Sequence, residues 1–475
     1  MNVWPLKFRE IDDHRMFFAD DAGGFFLSDH GFLHRYGKDL LTKRDLDFLH
    51  SSGHAYQREG DLAHTAFAYR WTARQAQPES LSYVMLVPTL RCNLSCTYCQ
   101  VSRVAETARG FDWTSETLQA VLTFLDGLST DHIKIEFQGG EPMLRLDMLV
   151  AVRDFCRRRF RASSFVVCTN LQSVGPAELE FLSAEDTHVS TSVDGAIADH
   201  DRHRTQDSHR AVEFFRNLHA VRQVAGDRVS ALPTIDLDAP PDIDALINTY
   251  VEIGQSTIYL RPVNHQGFAR RRHPASRDAE RWNAYHEAFV HKLIDRNAQG
   301  YGILGEYYLN LCLRRMLAAS HDNHVDLRNP AVFGEDYLVV DFNGKLYPTD
   351  EARMVTRVGV TDLSIGSVRS GIDAEKLALL NGAAFNHLDP DCLHCPYQPY
   401  CGVDSIDDIS RYGRTDLPKH ETWFCNRHLG LFDLAARLLY SRDDKVRFSV
   451  AHWLGLPDIP PTLSPVHHDF APPSS

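Results

Sequence analysis

Two hydrophobic periods alternate along the chain, and their succession predicts its architecture. Short runs at 83–88, 132–137, 165–168, 188–193, 228–233 and 257–262 read as strands. Between them, apolar residues recur at helical spacing over 116–128, 146–159, 211–224 and 242–253. Strand–helix alternation of this kind implies parallel strands with right-handed crossovers. The expected fold is α/β, a partial (β/α)6 barrel over residues 81–300 with its site at the carboxyl ends of the strands.

The flanks differ. Residues 15–28 place apolar runs around an acidic Gly-Gly turn, which predicts a hairpin, and helical patterning follows over 31–50. Residues 1–80 thus form a small α+β module, either a structural cap or an edge that pairs with an incoming peptide strand. After residue 300 the alternation stops. Residues 301–456 are cysteine-bearing and loop-rich up to about 427, with a helix at 429–440. The tail, 457–475, is rich in Pro and Ser and is expected to be disordered.

Composition narrows the classes. A chain of 475 residues with 43% hydrophobic and 24% charged content suits a globular protein of two or three domains. The net charge of −13 speaks against nucleic acid as a partner, because phosphate binding needs a basic surface. No apolar run reaches the length of a membrane span, and residues 1–7 lack a secretory layout, so a cytoplasmic protein is expected. In that setting ten cysteines do not read as a disulfide framework. Cys156, Cys168 and Cys312 stand alone in apolar stretches and read as small buried side chains. The 25 histidines are scattered and read as surface and core residues.

The other seven cysteines form two groups. Cys92, Cys96 and Cys99 follow the first predicted strand. Three thiols are one fewer than a closed site takes, which leaves a position open for a non-protein ligand; zinc with a distant fourth ligand is the structural alternative. Further motifs end the later strands: Gln138-Gly139-Gly140-Glu141-Pro142, Thr169-Asn170, Ser190-Thr191-Ser192-Val193-Asp194-Gly195, then His200-Asp201-Arg202-His203-Arg204, and Arg261-Pro262.

CxxxCxxC with Tyr98 before the last cysteine, then GGEP, SxDG and HDxxR stretches at successive strand ends, resembles the radical S-adenosylmethionine (radical SAM) superfamily. The resemblance implies that Cys92, Cys96 and Cys99 hold a [4Fe–4S] cluster whose fourth iron takes the amino and carboxylate groups of SAM. Reduction then splits SAM to methionine and a 5′-deoxyadenosyl radical, which takes a hydrogen from substrate. By the same resemblance the turn Gly139-Gly140-Glu141-Pro142 holds the SAM amino group. Ser192 and Arg204 become candidates for its ribose and carboxylate, with Tyr98, Asn170 and Asp194 as further cofactor-binding candidates. A reductant such as flavodoxin or ferredoxin is implied.

Cys392, Cys395 and Cys401 are spaced CxxCx5C, with Cys425 behind, enough for a closed [4Fe–4S] or zinc site. Beside a radical SAM barrel this resembles the SPASM extension of peptide and protein maturases, implying an auxiliary cluster on those four thiols. SPASM domains usually carry another cluster, but its ligand positions here are Ser405 and Thr349, and residues 328–334 hold no cysteine. Two clusters are therefore expected, not three. Asp350, next to Thr349, matches the aspartate that acts as a base in sulfatase-maturing relatives; the plainer reading is a turn or helix-capping residue.

Residues 347–353 and 395–404 carry a resemblance of the whole chain to the radical SAM maturase of the His-Xaa-Ser system. It implies a short ribosomally made precursor with His-Xaa-Ser repeats and a second radical SAM protein; the product chemistry, whether cross-link, oxidation or epimerisation, is not readable from the sequence. Two other classes stay open: sulfatase-maturing-type oxidation of a protein residue, and a non-enzymatic iron–sulfur scaffold or electron carrier. The SAM-side motifs speak against the scaffold.

Overall fold

The computed structural model of the protein describes residues 1–75, 80–272, 278–300, 302–318, 327, 332–335, 337–382 and 384–456. The tail at 457–475, and residues 328–331 of the cysteine-free stretch, lie outside the described residues.

Three antiparallel strands lie near the start of the chain: β1 (Lys7–Asp12), β2 (Arg15–Ala19) and β3 (Phe25–Ser28). The hairpin read from the sequence is β2–β3; β1 is an addition. The helical pattern at 31–50 resolves into α1 (His30–Gly37) and α2 (Lys43–Ser51). Thr42 and Asp45 form a reciprocal capping box that restarts the helix there. A further helix, α3, covers Leu62–Arg74. One sheet face buries Phe18 and Phe26 with Phe32 and Leu49 of the helices. The other packs Phe17 on Tyr397, ring centroids 5.0 Å apart, and Phe25 on Tyr400 at 6.2 Å. The module is thus fastened to the C-terminal cysteine region.

The barrel strands β4 (Tyr83–Thr89), β5 (His132–Gly139), β6 (Ala162–Cys168), β7 (Thr187–Ser192) and β8 (Val229–Leu232) lie side by side in parallel. Their outward residues, such as Ile133, Ile135, Phe137, Phe165, Val167 and Val189, are buried in the main core. Helices α4 (Ser115–Asp126), α5 (Leu146–Arg159), α6 (Pro176–Ser183), α7 (Ser208–Ala225) and α8 (Ile243–Glu252) connect the strands. Strand alternation turns Gln138, Cys168, Ser190 and Ser192 to the inside of the curve. The sixth predicted strand is two short ones, β10 (Thr257–Ile258) and β11 (Arg261–Pro262), pairing with β12 (Gly305–Glu306) and β9 (Thr234–Ile235). Pro262 lacks the N–H that a longer ladder would need.

The sheet does not stop at β4. On its other side β13 (Tyr337–Val340) pairs in parallel, and β14 (Lys345–Tyr347) returns antiparallel through the Gly344 turn. The region after 300 also holds helices α9 (Tyr307–Leu317), α10 (Asp350–Arg357), α11 (Ser405–Tyr412) and α12 (Trp423–Leu439). The last begins earlier than 429 because Thr422 caps it, accepting from the Cys425 N–H at 3.3 Å. Among the described residues no helix is long and apolar enough to cross a membrane.

Candidate functional site

At the carboxyl end of β4 the chain turns into the first cysteine loop. The glycines of the β5 turn act here on protein backbone. A Cβ on Gly139 would lie 2.2 Å from the Thr89 oxygen, and one on Gly140 2.1 Å from the Arg91 oxygen. That close approach lets the Gly140 and Glu141 N–H groups donate to Thr89 and Arg91, at 3.0 and 2.8 Å. The segment leading into Cys92 is thereby stitched to the turn.

Other elements hold the loop itself. The Thr97 N–H donates to the His203 oxygen at 2.8 Å, and Phe268 N–H to the Cys99 oxygen at 3.0 Å. Gln206 and Arg210 donate to the Ser95 and Asn93 oxygens, each at 2.8 Å. Gly267 is the tightest fit, since a Cβ there would sit 1.8 Å from the Gln100 oxygen. Arg210, Gln206 and Gly267 escaped the sequence reading. The first two lie just beyond the HDxxR stretch; for Gly267 no local signal exists.

A cavity of about 210 Å³ opens at the strand ends. Cys92, Cys96 and Cys99 line it together with Tyr98, Gly139, Gly140, Asn170, Ser192 and Arg204. The Leu94 N–H and the Asn170 side-chain amide donate to Cys92 Sγ at 3.4 and 3.6 Å. Burial pushes the Cys92 and Cys96 thiols up to about 12 and about 11 in the metal-free protein. A cluster that binds them must therefore displace protons.

Glu141, Pro142 and Asp194 stand behind the wall. The Glu141 carboxylate accepts from Asn170 N–H at 2.7 Å and Met143 N–H at 3.1 Å, while burial pushes it up to about 7. Asp194 is also buried. It accepts from Arg204 Nε at 2.8 Å, from Thr234 N–H at 2.9 Å and from the Tyr98 hydroxyl. Burial pushes its carboxyl up, but Arg204, His200 and Tyr98 outweigh this and hold it below the usual range. Asp194 therefore fixes Arg204, which is carried on a π-helical turn over Asp201–Thr205.

Cys168 departs from the buried-hydrophobe reading: it lines this cavity and donates to Glu136 at 3.3 Å. Cys156 and Cys312 are fully buried. Asp350 lies outside the cavity, in the first turn of α10, whose cap is Thr349. Arg353 Nε donates to it at 2.8 Å, and the buried Arg353 guanidinium also faces Asp341 at 3.7 Å.

The second cysteine group lines a separate cavity of about 250 Å³ that contains Cys392, Cys395, Cys401 and Cys425. Burial raises all four thiols, Cys425 to about 12. The positions Thr349 and Ser405 have become a helix cap and the first residue of α11. Among the described residues no three His, Cys, Asp or Glu side chains converge on a point that suits a single metal ion. The thiols stand around the two cavities instead.

A parallel barrel with three thiols at its first strand end is the part of the chain on which the comparison with known proteins bears. Residues 86–246 match the family model of the Radical SAM superfamily, so the chain contains a radical SAM domain. An uncharacterized protein of Methanocaldococcus jannaschii is 28% identical over 119 residues, covering 25% of this chain and 40% of that protein. The match thus spans about two fifths of that relative's length. Among solved structures, native anSMEcpe with bound AdoMet aligns with a TM-score of 0.58 at 15% identity, over 74% of this chain and 97% of that one. The form with bound AdoMet and Cp18Cys peptide aligns with a TM-score of 0.56 at 16% identity, over 75% and 97%. These likenesses show a shared fold. A radical SAM domain implies SAM and a [4Fe–4S] cluster, and the cavity bearing Cys92, Cys96 and Cys99 has the donors for it: three thiols, with N–H groups aimed at Cys92.

Proposed function

We propose that this chain is a radical SAM maturase that modifies a short ribosomally made peptide, installing a cross-link or an oxidation. The observation that carries the reading is the pair of thiol-lined cavities: three cysteines at the barrel's strand ends and four in the C-terminal region. The second set is the complement of a closed [4Fe–4S] site, an auxiliary cluster beside the SAM-binding one.

The cluster and SAM, once bound, supply hydrogen-atom abstraction from an unactivated C–H bond. The chain supplies placement. Cys92, Cys96 and Cys99 leave one coordination position open, and Asn170 steadies Cys92. Arg204, locked by Asp194 and Tyr98, presents a fixed positive charge for the SAM carboxylate; Ser192 offers a hydroxyl for the ribose. Asp350, on the strand–helix corner after β14, is the candidate proton acceptor for a substrate group. The Lys7–Asp12 edge of the N-terminal sheet is the candidate for pairing with the precursor's leader.

The test is anaerobic co-expression with a precursor peptide bearing His-Xaa-Ser repeats, followed by high-resolution mass spectrometry. The control carries Cys92, Cys96 and Cys99 all as Ala. Loss of two hydrogens only with intact cysteines establishes the maturase. Release of 5′-deoxyadenosine with an unchanged peptide sinks this substrate but keeps the radical chemistry. Absence of both would favour the scaffold. A second reading, oxidation of a residue within a protein, draws support from Asp350; a modified protein substrate in place of the peptide would decide for it.

A further inference from the structure

The wall of the second cysteine cavity is not built by the C-terminal region alone. Phe8 and Arg9 of β1 line it together with all four cysteines. Arg9 Nε and Nη2 reach the Asp433 carboxylate at 3.0 and 3.1 Å. Asp433 also accepts from the Tyr397 hydroxyl at 2.7 Å, and Tyr397 lies between Cys395 and Cys401. Two residues earlier on the same strand, Lys7 Nζ donates at 3.1 Å to Gln398, in the same intervening loop. One short strand from the far end of the chain therefore clasps the loop carrying two of the four thiols, and it brings two positive charges there, Lys7 paired with Asp21 at 2.7 Å and Arg9 with Asp433.

Resting on the reading that Cys392, Cys395, Cys401 and Cys425 hold an iron–sulfur cluster, we infer that Arg9, balanced by Asp433, sets the reduction potential of that cluster. Arg9 is a positioning residue: it acts through the clasped loop and through its field. Reduction adds one negative charge to a cluster already ringed by four thiolates. A neighbouring guanidinium stabilises the reduced form and raises the potential, whereas a neighbouring carboxylate lowers it. The pair is only partly screened, with the Asp433 side chain 15% exposed and Arg9 38%. The N-terminal module is then an electrostatic part of the auxiliary site as well as part of its wall.

The experiment uses the full-length chain with Cys92, Cys96 and Cys99 replaced by Ala, reconstituted anaerobically with iron and sulfide. The remaining cluster is titrated with dithionite and followed by electron paramagnetic resonance, with iron content measured alongside. Arg9→Gln should lower the midpoint potential and Asp433→Asn should raise it, while Arg9→Lys stays near the parent. The expected shift is up to about tenfold in the reduced-to-oxidised ratio at fixed potential, or about 59 mV for one electron. A purely structural role would move both variants the same way, so equal potentials or same-sign shifts overturn the inference. Should Arg9→Gln lose its iron, Asp433→Asn decides alone: a rise supports, anything else refutes. Should the triple-Ala protein fail to fold, the same sign comparison is made with both clusters present. A folded triple-Ala protein that takes up no iron refutes the cluster reading itself, a failure distinct from an unshifted potential.

Discussion

Glu141 offers a pH signature that belongs to one side chain. It is 2% exposed, and burial outweighs its hydrogen bonds to the Asn170 and Met143 N–H groups and the Thr169 side chain, lifting it from 4.5 to about 7. The folded carboxyl binds its proton more tightly than the unfolded one. Between those two values the folded state holds the extra proton, and stability falls as pH rises. The contribution is fully present below 4.5 and is lost through about 7, a loss of about 2 to 3 kcal/mol between pH 5 and pH 8 at about 1.4 kcal/mol per unit. Glu141→Gln cannot titrate. Its amide satisfies one backbone N–H and opposes the other, a cost of about 1 to 3 kcal/mol that does not vary with pH. The prediction is therefore a difference of differences. Urea denaturation of the metal-free proteins should show the variant gaining about 2 to 3 kcal/mol on the wild type as pH goes from 5 to 8. Parallel pH profiles would refute the claim that the buried carboxyl carries an elevated pKa.

Three further changes probe other joints. Gly140→Ala places a Cβ 2.1 Å from the Arg91 oxygen, a backbone atom that cannot step aside; iron uptake at the first site should fall while the second site keeps its iron. Arg353→Ala strips the buried Asp350 and Asp341 of their partner and should cost about 3 to 5 kcal/mol in denaturation, unlike an exposed pair. Asp350→Asn keeps an oxygen for Arg353 but removes the base, so SAM cleavage should persist while peptide modification drops by at least about tenfold, a modest general-base effect; full modification would remove Asp350 from the mechanism.

The barrel was legible because its signals are local. Each strand from β4 to β8 is a short segment with buried apolar positions, and each motif lies at or just past its strand's carboxyl end, so order along the chain already gives order around the cavity. What the sequence hid depends on contacts between distant segments. Gly139 and Gly140 look like a ligand cradle, yet their lack of Cβ admits the Thr89 and Arg91 carbonyls. Cys168 reads as a lone buried thiol because nothing local shows that strand alternation turns it to the inside. Gly267 meets Gln100 across most of the barrel. β1, with Phe8 and Glu10 exposed, has too mixed a pattern to stand out as a strand.

The same long-range contacts change what can be asked of the N-terminal module. Deleting it would seem the direct way to learn whether it binds a leader peptide. But Arg74, at the end of α3, donates to the Arg315 oxygen at 3.0 Å, and the Tyr400 hydroxyl donates to the Gly23 oxygen at 3.0 Å. Removal would also bare the rings of Tyr397 and Tyr400, both buried, and take Phe8 and Arg9 from the second cysteine cavity. Any loss of peptide modification after such a deletion would mix leader binding with damage to the auxiliary site. The two are separable by substitution of Glu10, which is exposed and is not among the residues lining the second cysteine cavity, set against Arg9→Gln at a position that lines it. If the module both pairs with the peptide and sets the field at the auxiliary site, these two positions on one strand should give independent defects, one in peptide affinity and one in potential.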